Sequence, residues 1–236
     1  MKILCIECSA VPCSAAILED EKIIASSFVN VKLTHSQTLM PMVESLLKAS
    51  QIEISKIDAF AVSEGPGSFT GIRIGMSAIK GLAAPSKKPC VGVSTLLAIA
   101  NNYSNTDCIV CAVMDARCNQ VYNSLFEIKN GVITRLCDDR ALLCDELKEE
   151  IASLAHNNKI IIAGDGADVF YHFVKEMPNI ICSDIKNIFQ NAVGVGYAAL
   201  NKIKSGDFLS PNELLPVYLR LPQAERELKQ KGDNKK

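Results

Sequence analysis

Positive charge is not in excess in this chain. Its 236 residues carry 25 Lys and Arg against 26 Asp and Glu, a formal net charge of −1. A domain that grips nucleic acid by itself shows a basic face or stripe. If this chain works on RNA, another component is expected to hold the RNA. The mildly basic stretch after Ala224 is the one exception. Long apolar runs are missing as well: none approaches the roughly 18 residues that a membrane span needs, so no membrane contact is expected. The first residues, MKILCIEC, enter a strand-like pattern directly, with no apolar segment leading to a small-residue cleavage site. A cytoplasmic location is therefore expected. Histidine is scarce, with three in all. His35 opens the helical stretch HSQTLMPMVESLL, but a helical metal site places its second His four residues on, and that position is Leu39. His156 and His172 have no local ligand spacing. No metal site is expected.

Cysteine, by contrast, is plentiful, with ten residues and two CxxC spacings, Cys5/Cys8 and Cys108/Cys111. Zinc knuckles place such pairs on tight turns. Here Cys5 and Cys108 lie in apolar strand patterns, ILCIEC and CIVCAV, where positions i and i+3 face opposite ways. Free, reduced, buried thiols are the expected state.

Apolar residues make up 48% of the chain, enough for a substantial core. Strand patterns cover Lys2–Glu7, Cys13–Leu18 and Lys22–Asn30. A helix from about His35 to Ala49 follows, in which Pro41 should produce a kink or mark a late start. A strand at Asp58–Ser63, a helix at Ile72–Ala84, a short strand at Val91–Val93 and a helix capped by Ser94 and ending at Asn101 complete the first half. The order then restarts with strands at Asp107–Met114, Gln120–Ile128 and Val132–Leu136, the last two joined by the hairpin signal Asn130-Gly131. A helix at Asp145–Ala155, a strand at Lys159–Ala163 and helices at Val169–Lys175 and Asn187–Lys204 end the pattern. Three hairpin-linked strands followed by helix-linked strands describe a ribonuclease-H-like lobe, and two in tandem describe the actin-like α/β architecture. The expected division is 1–104, 105–215 and a tail, 216–236, with a disordered end.

The most specific stretch is SEGPGSFTGIRIG, from Ser63 to Gly75. It is a glycine-rich turn from a strand end into a helix start, where free backbone N–H groups can hold an anion. No GK[ST] follows, which excludes a Walker A loop. Gly65, Gly67, Ser68, Thr70, Gly71 and Arg73 are the candidate anion or nucleotide loop. The same residues also read as a tight turn plus a helix whose Gly71, Gly75 and Ala78 allow close helix contact. Glu7, Asp115, Asp165 and Asp168 are candidates for magnesium or general-base work, and Arg73 and Arg117 for phosphate or for surface ion pairs.

These motifs carry a resemblance. The chain resembles the TsaB family, also called YeaZ, bacterial partners of the tRNA threonylcarbamoyltransferase TsaD. The match runs through ILCIECS, HSQTLMP, SEGPGSFTGIRIG, GVSTL (Gly92–Leu96), DARCNQVY (Asp115–Tyr122), GDGA (Gly164–Ala167) and PVYLRLPQAE (Pro216–Glu225). The resemblance implies a non-catalytic subunit, needed for transfer of threonylcarbamoyl to the adenosine beside the anticodon of ANN-reading tRNAs. It implies a heterodimer with a TsaD-like paralogue, cooperation with a TsaE-like P-loop ATPase, and tRNA reached only through the complex. It leaves open a homodimer of the chain alone, and ATP or ADP at the partner interface with no tightly bound cofactor. The family's first-strand acid is normally Asp, followed by Thr. Here Glu7 and Cys8 stand there, so Glu7 and Ser9 read as a vestigial phosphate loop. A self-sufficient ATPase or sugar-type kinase is the competing function, and a metallopeptidase, for which no ligand set is visible, a third. The resemblance also points to the helices at His35 and Ile72 as the partner contact, through His35, Leu39, Met42, Val43, Leu46, Ile72, Gly75, Met76 and Ile79. Leu and Met are richer in the first helix than one buried stripe needs, and Met suits adaptable surfaces. The competing reading packs all of these against the chain's own sheet.

Overall fold

The structure, a computed structural model, describes residues 1–220. The expected disordered end of the tail, and the last five residues of PVYLRLPQAE, lie outside the described residues. Two sheets form the framework. In the first, β1 (Lys2–Glu7), β2 (Cys13–Glu19) and β3 (Lys22–Val29) are antiparallel neighbours, and β4 (Ala59–Gly65) and β5 (Cys90–Ser94) join in parallel, in the order β3-β2-β1-β4-β5. The second repeats this plan. β6 (Cys108–Arg117), β7 (Gln120–Lys129) and β8 (Val132–Arg135) are antiparallel, while β10 (Ile160–Ala163) and β11 (Ile180–Cys182) are parallel to β6, in the order β11-β10-β6-β7-β8. A short extra strand, β9 (Arg140–Leu143), pairs with the start of β7. Parallel strands need crossover helices, and the helices between them supply these. The duplicated arrangement is the actin-like α/β fold of two ribonuclease-H-like lobes.

Each sheet is covered on both faces. α1 (His35–Ser50) and α2 (Phe69–Ala83) cover the outer face of the first sheet, burying Leu39, Met42, Val43, Leu46, Met76 and Ile79 against Leu4, Ile6, Ala15 and Ile17. α4 (Cys144–Ala155) and α5 (Ala167–Val174) cover the outer face of the second. Between the sheets lie α3 (Thr95–Asn101) and α6 (Ala192–Lys204), and they are exchanged. α3 follows the first sheet in sequence yet buries Leu96, Ile99 and Ala100 against Val110, Ala112 and Phe126 of the second. α6 follows the second and buries Val195, Ala198 and Ala199 against Ile3, Cys5 and Leu18 of the first.

Several local expectations change. α1 starts at His35 and includes Pro41, so the proline does not mark a late start; Pro41 and Gln37, whose carbonyl loses its N–H partner, both lie on the exposed side. The last helix begins at Ala192 rather than Asn187: the Asn191 side chain accepts the Gly194 N–H at 3.0 Å and caps it there. Residues 187–190 instead cross between lobes, with the Ile188 carbonyl taking the Gly164 N–H at 2.6 Å. β9 and β11 are too short to show a period of two and carry no strong pattern. The Asn130-Gly131 turn has φ of 51° and 78°, both positive, as a two-residue hairpin of the primed type requires. Cys5 and Cys8 lie in cores on opposite faces of the first sheet, and Cys108 and Cys111 likewise on the second.

Candidate functional site

The ends of β1, β4, β6 and β10 meet at a cleft of about 570 Å³ between the lobes. Ser9, His35 and Gly67–Gly71 line it from the first lobe, and Asp115, Arg117 and Asp165 from the second; Val217–Arg220 close one side. The two lobes thus bring the acids of β6 and β10 opposite the glycine signature. Asp165 is held up to about 7, first by burial, with the charges of Asp115 and Glu7 adding to the rise and the Gln190 amide opposing it. Asp115 turns inward on its own loop, accepting the Arg117 N–H at 2.8 Å. Asp168 sits in the first turn of α5, outside the residues that line the cleft.

Glu7 does not reach the cleft. It is fully buried, its Oε1 accepts the Ser9 N–H, and Oε2 has no hydrogen-bond partner. Burial pushes its pKa up, against the pull of the neighbouring Ser9 and Ser63. Ser9 lines the cleft: its carbonyl accepts the Ser68 N–H at 2.6 Å, while its buried hydroxyl has no hydrogen-bond partner.

The signature loop is shaped by backbone approach. Gly65 has φ 126° and Gly67 φ 152°. A Cβ at Gly65 would collide with the Val217 carbonyl, at Gly67 with the Ser9 carbonyl and at Gly71 with the Cys8 carbonyl. Ser68 caps α2 by accepting the Gly71 N–H at 3.2 Å. Two of the loop's N–H groups are therefore used internally. Thr70 is exposed on the cleft side. Arg73 is occupied too: its guanidinium lies 3.8 Å from the Phe69 ring centroid and its Nε donates to the Tyr218 hydroxyl at 2.8 Å. It lies outside the residues that line the cleft.

The expected partner residues need a larger correction. Leu39, Met42, Val43, Leu46, Ile72, Met76 and Ile79 are all buried within the chain itself. Gly75 faces Ile6, Cys8 and Val62, and His35 contacts the Ala10 carbonyl through Nε2 at 2.7 Å. Two helices on one sheet face must turn their apolar stripes inward, so all of these but His35, which lines the cleft, are this chain's own core. The surface left outward on the same two helices includes Met40, Glu44 and Lys48 of α1 with Arg73, Ser77 and Gly81 of α2. Open space surrounds Gly81.

Two features carried sequence signals that assigned no role. One is the strap, residues 205–220, whose PVYLR segment threads across the signature. The other is Cys13, which the register of the first hairpin places opposite Cys8.

The family model described as "TsaD: tRNA N6-adenosine threonylcarbamoyltransferase" matches residues 27–227. The tRNA threonylcarbamoyladenosine biosynthesis protein TsaB of Bacillus subtilis is 30% identical over 234 residues, covering 95% of this chain and 96% of that protein. The chain belongs to the TsaB family. The Escherichia coli TsaB protein is also 30% identical, over 93% of this chain and 95% of its own length. The solved structure of YeaZ from Pseudomonas aeruginosa superposes with a TM-score of 0.78 at 28% identity, over 92% of this chain and 99% of that one. A shorter likeness joins this chain to a transferase. The Kosmotoga olearia tRNA N6-adenosine threonylcarbamoyltransferase is 31% identical over 120 residues, 44% of this chain and 36% of that enzyme. A helical metal site of the HxxxH type does not fit here: the second position is Leu39, whose side chain is apolar and buried. Among the described residues, no three His, Cys, Asp or Glu are grouped to hold a metal.

Proposed function

We propose that this chain is a non-catalytic subunit in tRNA threonylcarbamoyladenosine biosynthesis, which binds and supports a paralogous TsaD-type transferase. Glu7 is the observation that carries the reading. The acid that would organise magnesium and phosphate at the end of the first strand is sealed beneath the Ser9 N–H and kept from the cleft. Chemistry on the nucleotide or the tRNA is then left to partners, a TsaD-like paralogue and a TsaE-like P-loop ATPase. The even charge balance fits tRNA held through the complex. ATP or ADP, where it binds, does so at the partner interface. The outward side of α1 and α2, centred on Ser77 and Gly81, is the surface offered to the paralogue.

Reconstituted tRNA modification with the transferase, the P-loop ATPase and this chain tests the reading. Omitting the chain should abolish modification, and Gly81→Arg should do the same while leaving the isolated chain as stable as before. The chain alone should turn over no ATP. Turnover on the order of 1 s⁻¹, the low end of ordinary enzymes, would favour a self-sufficient ATPase on this fold.

A further inference from the structure

Cys8 and Cys13 face each other across the mouth of the first hairpin. In the β1–β2 ladder, Ile6 stands opposite Ala15 and Glu7 opposite Ser14, and one step further the register sets Cys8 opposite Cys13. Directly opposed side chains of an antiparallel pair share one face. Both cysteines indeed lie in the core beneath α1 and α2. Their sulfurs are 3.6 Å apart, with both thiols free. The turn between them carries Ser9 and Ala10, and the Ala10 carbonyl is held by His35 Nε2 at 2.7 Å. That contact leaves His35 Nδ1 without a hydrogen-bond partner. The group around Cys13 suits a thiolate: the Cys8 thiol foremost, then the neighbouring His35 and Thr38, lower it below the ordinary thiol range against the cost of burial. His35 is raised in turn, mainly by Cys13.

We infer that Cys8 and Cys13 form a reversible disulfide site, oxidised by a small peroxide, that staples β1 to β2 beneath the first turn of α1. The thiolate is the nucleophile in such chemistry. Cys13 Sγ attacks one oxygen of hydrogen peroxide; an S–O bond forms, the O–O bond breaks, and hydroxide leaves as water with the proton of the His35 imidazolium. Cys13 is then a sulfenic acid, which condenses with a neighbouring thiol. Cys8 Sγ attacks it; the S–S bond forms, the S–O bond breaks, and the second hydroxide leaves as water with the Cys8 proton. Both sulfurs are oxidised and one peroxide is reduced to two waters. Cys8 is fully buried and Cys13 is 2% exposed, which keeps bulky reagents out. A small neutral peroxide can arrive from the side of His35, whose ring is half-buried and lines the cleft.

The test uses the full reduced chain. It is exposed to hydrogen peroxide while folded, then denatured, alkylated and digested with trypsin. The peptide Ile3–Lys22 holds Cys5, Cys8 and Cys13. The expected product is this peptide lighter by two hydrogens, with the alkyl label on Cys5 alone; dithiothreitol before alkylation restores all three labels. Cys5→Ser should leave the linkage intact. Cys8→Ser should abolish it and leave Cys13 as a sulfenic acid that dimedone, added with the denaturant, traps. The wild-type mapping decides the matter even where a variant fails to fold. Absence of the linked peptide, with both cysteines still alkylated or with either joined to a third cysteine such as the exposed Cys118, overturns the inference.

Discussion

Asp165 sits where β10 opens into α5, part-buried at the edge of the cleft, and accepts from the Gln190 amide at 3.5 Å. Its pKa rises from 3.8 to about 7, and the sign of the consequence follows from linkage. The folded state holds a proton that the unfolded state gives up, so stability is full below about pH 3.8, falls as pH rises, and levels off above about pH 7. The whole loss is at most about 4 kcal/mol. Asp165→Asn should therefore exceed the parent chain by about 1–3 kcal/mol at alkaline pH and converge with it in acid. Urea unfolding across that range checks it; a gap that does not change with pH would remove the argument. The glycines of the signature divide in the same local way. Alanine at Gly75 would put its Cβ 3.4 Å from Ile6, Cys8 and Val62, an ordinary contact, whereas at Gly71 it would strike the Cys8 carbonyl. Gly75→Ala should leave the melting temperature unchanged or raise it slightly, since Ala is the better helix former by about 1 kcal/mol. Gly71→Ala should cost roughly 1–3 kcal/mol, the usual penalty of overpacking. Equal effects at the two sites would mean that both glycines serve only chain flexibility.

At the scale of elements, the long apolar strands and α1 were legible because period and burial agree. β1 is almost continuously buried, and the apolar stripe of α1 is the face it sets on the sheet. What could not be read was which sheet a helix serves. The apolar excess of α1 and α2 suggested a partner surface, yet their Leu, Met and Ile residues are the cover of the chain's own first sheet. Periodicity reports that a face is buried and is silent on what buries it. The exchange of α3 and α6 was hidden for the same reason. A signal for it exists in the small residues of AVGVGYAAL. A Cβ on Gly194 would collide with the Ala98 carbonyl of α3, and one on Gly196 would come within 2.8 Å of the Leu18 side chain. The first of these obstacles is backbone and the second a flexible end. Gly194→Ala should thus separate α3 from α6 and cost roughly 1–3 kcal/mol, while Gly196→Ala costs less because Leu18 can turn aside. Chemical unfolding of the two variants compares them directly. A larger loss at Gly196 would place the critical contact on the sheet instead of between the helices.

Across the whole molecule, one segment ties the parts together. After α6 the strap pairs with Cys90 through both Leu209 backbone groups at 2.8 Å, buries Leu214 in the core beneath α1 and α2, and donates the Val217 N–H to the Glu64 carbonyl at 2.7 Å. Tyr218 then stacks on Phe69 with ring centroids 4.5 Å apart and takes the Arg73 hydrogen bond. Arg220 crosses to the second lobe and donates to the Ala116 carbonyl. The glycine signature is thus the seat of this strap as much as the start of α2, since Gly65 admits the Val217 carbonyl only for lack of a Cβ. Two consequences separate the strap's local and long-range parts. Tyr218→Ala removes an aromatic stack and the partner of Arg73, and should cost roughly 1–2 kcal/mol in the unfolding of the isolated chain. Arg220→Ala removes a single bond between lobes that are otherwise joined through α3 and α6, so its effect on global stability should stay near the ordinary worth of a charge-assisted hydrogen bond, about 1.5–3 kcal/mol. Its signature should be local. Amide exchange should quicken in the Asp115–Asn119 turn, where Arg117, Cys118 and Asn119 all hold positive φ, while α1 and the β1–β2 hairpin keep their protection. If exchange instead rises evenly over both lobes, Arg220 supports the fold as a whole, and the strap is a structural belt with no particular hold on the cleft.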